Sequence, residues 1–143
     1  LTTLSATLRS NDHVSFRYCQ RTGRLDHRRD SVWHRVASGY AGAGLGVNTP
    51  RLEHIRALGP LPKGVYKMAV VDHHRFAAPC IALAQEEGET YGRSAFYIHG
   101  DNRHLNRTAS SGCIVIPLLA RRELARLMDF YERPRLWVYD SGA

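Results

Sequence analysis

Apolar and polar positions alternate over Val14-Ser15-Phe16-Arg17-Tyr18, the pattern of a strand with one face buried. Thr22-Gly23 predicts a turn and residues 24–27 the returning strand. Residues 32–38 form a further strand candidate, with Trp33 as its core or inter-strand anchor. From Gly39 to Pro50 glycine recurs too often for helix or strand, and a conformationally special loop lining a cleft is expected. Residues 52–58 predict one or two helical turns stopped by Gly59-Pro60, and 61–64 a turn feeding a strand at 65–71. A strand at 81–84 is followed by a polar hairpin connection at 86–91. Two short β segments, 95–98 and 114–116, precede an amphipathic helix at 118–131 and a closing strand at 136–139. In the helix Leu119, Leu124, Leu127, Met128 and Tyr131 recur at helical spacing, and Pro134 lies just beyond. Many short strands with one late helix predict an α+β, predominantly β, fold. No repeat or linker divides the chain, so one domain over residues 1–143 is expected.

The net charge of +7 adds a question about partners. Arg21, Arg24, Arg28, Arg29 and Arg35 cluster, and Arg121, Arg122 and Arg126 lie on the predicted helix. No aromatic-interleaved signature or zinc-finger spacing accompanies them, so nucleic acid is not expected as a partner. Solubility explains the charge, as would attraction to a polyanionic cell envelope. No run is long enough to span a membrane. The chain opens on Leu1 rather than Met, which leaves room for an upstream delivery segment. Three cysteines are present. Cys19 and Cys80 either pair in an oxidising compartment or sit apart as small buried hydrophobes. His73-His74 with Cys80, and His13 with Cys19, lack metal-ligand spacing, so no metal and no cofactor are expected.

The chemistry concentrates in two blocks, Phe96-Tyr97-Ile98-His99-Gly100-Asp101 and Ala109-Ser110-Ser111-Gly112-Cys113-Ile114. A histidine leaves one apolar run and a cysteine enters the next. If the two runs pair, the loop between them folds back and brings imidazole and thiol together. That arrangement serves a cysteine nucleophile, because the imidazole takes the thiol proton. Gly112 permits a tight turn whose N–H groups can face the attacked carbonyl oxygen as an oxyanion hole. Asp101 either orients the imidazole or caps the turn after it.

These blocks resemble the L,D-transpeptidases, which carry a histidine, a variable loop, then Ser/Thr-His-Gly-Cys and an apolar residue. Ser111 stands where that family has its second histidine. The closer resemblance is to the divergent L,D-transpeptidase-like family of secreted bacterial toxins, including type VI secretion effectors. It extends over Thr22-Gly23-x-Leu25, the loop from Gly39-Tyr40 to Asn48-Thr49-Pro50, and Gly59-Pro60-Leu61-Pro62-Lys63-Gly64-Val65-Tyr66. Ala41 replaces a serine common in that loop.

The resemblance implies a β-sandwich-like domain and, as substrate, the peptide stems of peptidoglycan, cleaved or exchanged at the terminal D-alanine. It implies Cys113 as nucleophile and His99 as general base, then acid. Gly100 would orient His99 through its carbonyl, Ser110 would support the site, and the N–H groups of Gly112 and Cys113 would stabilise the oxyanion. The expected substrate-binding set is Tyr40, Arg93, Asp101 and Ser111, with Arg93 holding a carboxylate or merely solvated. A cognate immunity protein and a secretion-system component are the implied partners, and the periplasm of a target cell the implied place of action. Two alternatives stay open: a cysteine hydrolase or amidase on another peptide bond, and a non-catalytic basic envelope-binding module.

Overall fold

The computed structural model describes residues 14–101 and 112–142. Among the described residues nine strands form one sheet: β1 Phe16–Cys19, β2 Arg24–Arg29, β3 Val32–Ser38, β4 Tyr40–Ala41, β5 Gly64–Val71, β6 Cys80–Gly88, β7 Phe96–His99, β8 Ile114–Val115 and β9 Arg135–Tyr139. Among the described residues there is one α-helix, α1, spanning Leu118–Met128. The strand order is β3-β2-β1-β9-β5-β6-β7-β8-β4. The predominantly β, α+β reading therefore holds. The expected sandwich takes the form of a single sheet that curls until its edges approach.

Gly39 shows why the sheet must curl. β3 and β4 lie at opposite ends of the strand order, yet only Gly39 separates them in sequence. Its N–H donates to the Gly23 carbonyl at 2.8 Å, beside β2. A Cβ there would collide with the main-chain carbonyl of Val115, on β8. One residue thus bonds beside β2 and packs against β8, the strands next to the two edges, and only glycine fits between them.

The interior is apolar. Phe16, Tyr18, Leu25, Leu61, Tyr66, Ile81, Ile98, Ile114 and Leu136 are fully buried, and α1 covers them with Leu124 and Met128. Four local expectations need correction. The helix stops at Met128, and 129–131 continue only as turns, with Phe130 N–H to Leu127 and Tyr131 N–H to Met128. Leu119, expected on the buried face, is 75% exposed. The segment 52–58 forms a 3-10 turn at Pro50–Leu52 followed by hydrogen-bonded turns rather than helix. β6 runs on through Gly88, absorbing part of the predicted polar connection, because its outer half pairs with β5 while its side chains face solvent. All three cysteines are buried and none forms a disulfide, so Cys19 and Cys80 sit apart as small buried side chains. Among the described residues no helix is long and apolar enough to cross a membrane.

Candidate active site

β7 and β8 run parallel, with Ile98 opposite Ile114 and His99 opposite Val115. The ladder continues through a bond from Ile116 N–H to the His99 carbonyl at 3.1 Å. Side chains alternate along a strand, so this register sends Ile98 and Ile114 into the core. It leaves His99 and Cys113 on the opposite face as diagonal neighbours. Both line one cleft of about 360 Å³, with Arg56, His73, Arg75, Phe76, Arg93 and Tyr97 among its walls.

The imidazole of His99 is 1% exposed and held on two sides. Its Nδ1 lies 2.7 Å from the carbonyl oxygen of Gly100. A carbonyl only accepts, so the proton resides on Nδ1 and Nε2 carries the lone pair. The ring of Phe76 stacks on it at 4.0 Å with 3° between planes. Burial pushes the His99 pKa below the ordinary histidine value, against the opposing pull of the Gly100 carbonyl. The ring is therefore neutral at neutral pH. Burial likewise pushes the Cys113 thiol up, against opposing contributions from the Tyr97 main chain and Arg93. Its Sγ sits 3.7 Å from the Ala95 carbonyl oxygen. The resting pair is thus a neutral thiol beside a neutral base, and a thiolate forms only if the imidazole takes its proton.

Two buried arginines, whose roles the sequence hid, underlie this pair. Gly112 has φ of 130°, and a Cβ there would strike Nη2 of Arg93. Arg93 in turn donates Nη1 to the carbonyls of Glu53 and, at 2.9 Å, Pro60, and Nη2 to that of Gly59 at 2.9 Å. Its guanidinium is bound to main-chain carbonyls and the residue is buried, so the solvated alternative for Arg93 does not hold. On the other flank, Arg121 donates to the carbonyls of Pro79 and Ile116 at 3.0 and 2.8 Å. A Cβ on Gly100 would meet its Nη1 at 2.6 Å. Arg121 is 4% exposed, although its charge and helical position suggested a solvated face.

Glu53 anchors the loop beneath Arg93. Its carboxylate accepts from Gln20 Nε2, from Lys63 through both N–H and Nζ, and from the Tyr91 hydroxyl. Burial would raise its pKa, but these donors together hold it below the usual carboxylate value.

Tyr40 and Asp101 bond to each other beside the cleft. The Tyr40 hydroxyl donates to Asp101 Oδ1 at 2.7 Å. Both line, with Gly100, Asn48 and Arg121, a neighbouring hollow of about 740 Å³ rather than the cleft of Cys113. The contact to His99 Nδ1 comes from Gly100, not from Asp101. Ser110 and Ser111 lie outside the described residues. Among the described residues no group of three His, Cys, Asp or Glu side chains is arranged to hold a metal ion.

A family model described as the Tlde1 domain matches residues 35–132, a span that includes both sheet edges, His99, Cys113 and α1. No curated protein and no solved structure matches the chain.

Proposed function

Since this chain belongs to the Tlde1-domain family of type VI secretion effector toxins, we propose that it is a cysteine-dependent L,D-carboxypeptidase or transpeptidase acting on peptidoglycan peptide stems. Family membership implies a secretion system, a cognate immunity protein and action on target cells. The periplasm, where the stems are, is the proposed place of action. One observation carries the chemical reading: a thiol and a neutral imidazole with its lone pair on Nε2 share one face of β7–β8 and one cleft.

The reaction follows from those states. His99 Nε2 takes the Cys113 proton as Sγ attacks the carbonyl of the third residue of a tetrapeptide stem. The tetrahedral oxyanion is met by the N–H groups of Gly112 and Cys113. His99, now imidazolium, returns the proton to the amine of the leaving D-alanine, and a thioester remains on Cys113. Water deprotonated by the same imidazole releases a tripeptide, whereas an amine acceptor forms a new amide. Phe76 and the Gly100 carbonyl keep the ring in the tautomer and plane this requires.

Incubation with purified sacculi tests the reading. Muropeptide mass spectrometry should show tetrapeptides converted to tripeptides or to exchanged stems by the native chain, and not by Cys113→Ala. Cleavage at another bond would reassign the protein to a different amidase class.

A further inference from the structure

The cleft of Cys113 and His99 is charged with one sign. Arg56, Arg75 and Arg93 line it, and no aspartate or glutamate does among the described residues. Arg93 is bound to carbonyls and serves the turn beneath Gly112. Arg56 and Arg75 are different: both are exposed, and among the described residues neither enters an ion pair. Other arginines of the chain do find acids, as in Arg21–Asp140, Arg24–Asp26 and Arg135–Glu86. Arg56 approaches from the turns after Pro50–Leu52, and Arg75 from the β5–β6 connection. The Arg75 guanidinium lies 6.0 Å from the centre of the Phe76 ring, the ring that stacks on His99.

Two guanidinium groups at the rim of an acid-free cleft, one of them beside the ring on the base, form a receptor for an anion close to the reacting atoms. A planar carboxylate fits the guanidinium fork in bidentate fashion, and the same charges repel a cationic side chain. We propose that Arg56 and Arg75 form a carboxylate-binding subsite that docks a free carboxylate of the substrate peptide beside Cys113. The identity of the peptide rests on the function proposed above. A tetrapeptide stem containing diaminopimelate offers such carboxylates at its D-glutamate, at the D-centre of diaminopimelate and at the terminal D-alanine.

The test uses the full chain and four synthetic tetrapeptides: the parent, and three in which each free carboxylate is amidated in turn. Calorimetric affinity is measured on Cys113→Ser, alone and combined with Arg56→Gln or Arg75→Gln. D-alanine release is followed in parallel with native Cys113. Each arginine substitution should weaken parent binding about tenfold, and raised salt should weaken the unsubstituted subsite. Amidating one particular carboxylate should cost a similar factor and remove the further loss from the arginine substitutions, which identifies the docked group. Unchanged affinity in both arginine variants, an equal loss on all four peptides, or no binding of the parent to Cys113→Ser would overturn the subsite. Arginine-dependent binding without D-alanine release would uphold the subsite and overturn the proposed reaction instead.

Discussion

A methyl group on Gly112 would fall inside the van der Waals envelope of Arg93 Nη2, at a φ that side chains avoid. Because that guanidinium is tied to three carbonyls, it cannot swing aside, and the strain passes into the turn that carries Cys113. Gly112→Ala should therefore slow acylation of Cys113 about a hundredfold, the scale of a misplaced oxyanion donor, which single-turnover kinetics will show. Arg93→Ala should act on stability as well. It leaves the Glu53, Gly59 and Pro60 carbonyls without this donor and should cost about 3 kcal/mol or more, read from the shift in denaturant midpoint. At this scale the sequence marked Cys113 and His99 as candidates, because they stand beside glycine turns in short motifs. It hid the main-chain partners of Arg93 and Arg121 and the stacking of Phe76 on His99. Their partners are distant in the chain, as Arg93 with Glu53 and Phe76 with His99 show, and only the closed sheet brings them together.

Gly39 sets the corresponding constraint among the elements. With the Gly23 carbonyl bonded to its N–H and Val115 against its Cα, Gly39→Val has no room between the two sheet edges. A loss of about 3 kcal/mol or more is expected, visible as a lowered Tm with early exposure of α1. The alternation of residues 14–18 made β1 legible, 32–38 with Trp33 stood out as a strand candidate, and the helical spacing of Leu124 and Met128 marked α1. Neither pattern could show that β7 and β8 pair in parallel, which is what puts His99 and Cys113 on one face. β6 read short because the side chains of Ala84, Glu86 and Glu87 face solvent, so a polar stretch looks like a loop although its backbone pairs. The 52–58 segment read as one or two helical turns stopped by Gly59-Pro60. Glu53 instead points inward to Gln20 and Lys63, and Ala57 takes φ of 61°, which a helix does not allow.

For the whole molecule, burial of neutral histidines ties stability to pH. His27 and His99 both have pKa values lowered chiefly by burial. Above about pH 6.5 both folded and unfolded chains hold these rings neutral, so they contribute nothing. As pH falls through about 6.5 the unfolded chain binds protons that the folded chain refuses, and stability declines until the lowered folded pKa values are reached. Glu53, with its pKa held down, adds a second decline as pH falls below its ordinary value of 4.5. Thermal unfolding followed from pH 8 down to about pH 3 should show both stages, with the first reduced in His99→Gln. Activity should have its acid limb below pH 6.5 for the same reason, since a depressed His99 stays unprotonated there.

The most direct measurement is intact-protein mass spectrometry of the chain mixed with a D-alanine-terminated tetrapeptide stem and quenched in acid. A transient adduct equal to the acyl tripeptide should appear on Cys113 as one equivalent of D-alanine is released. It should be absent in Cys113→Ala and slowed at least a thousandfold in His99→Ala, with no further loss when both are removed. No adduct on the native chain, an adduct on Cys19 or Cys80, or undiminished D-alanine release by Cys113→Ala would contradict the account.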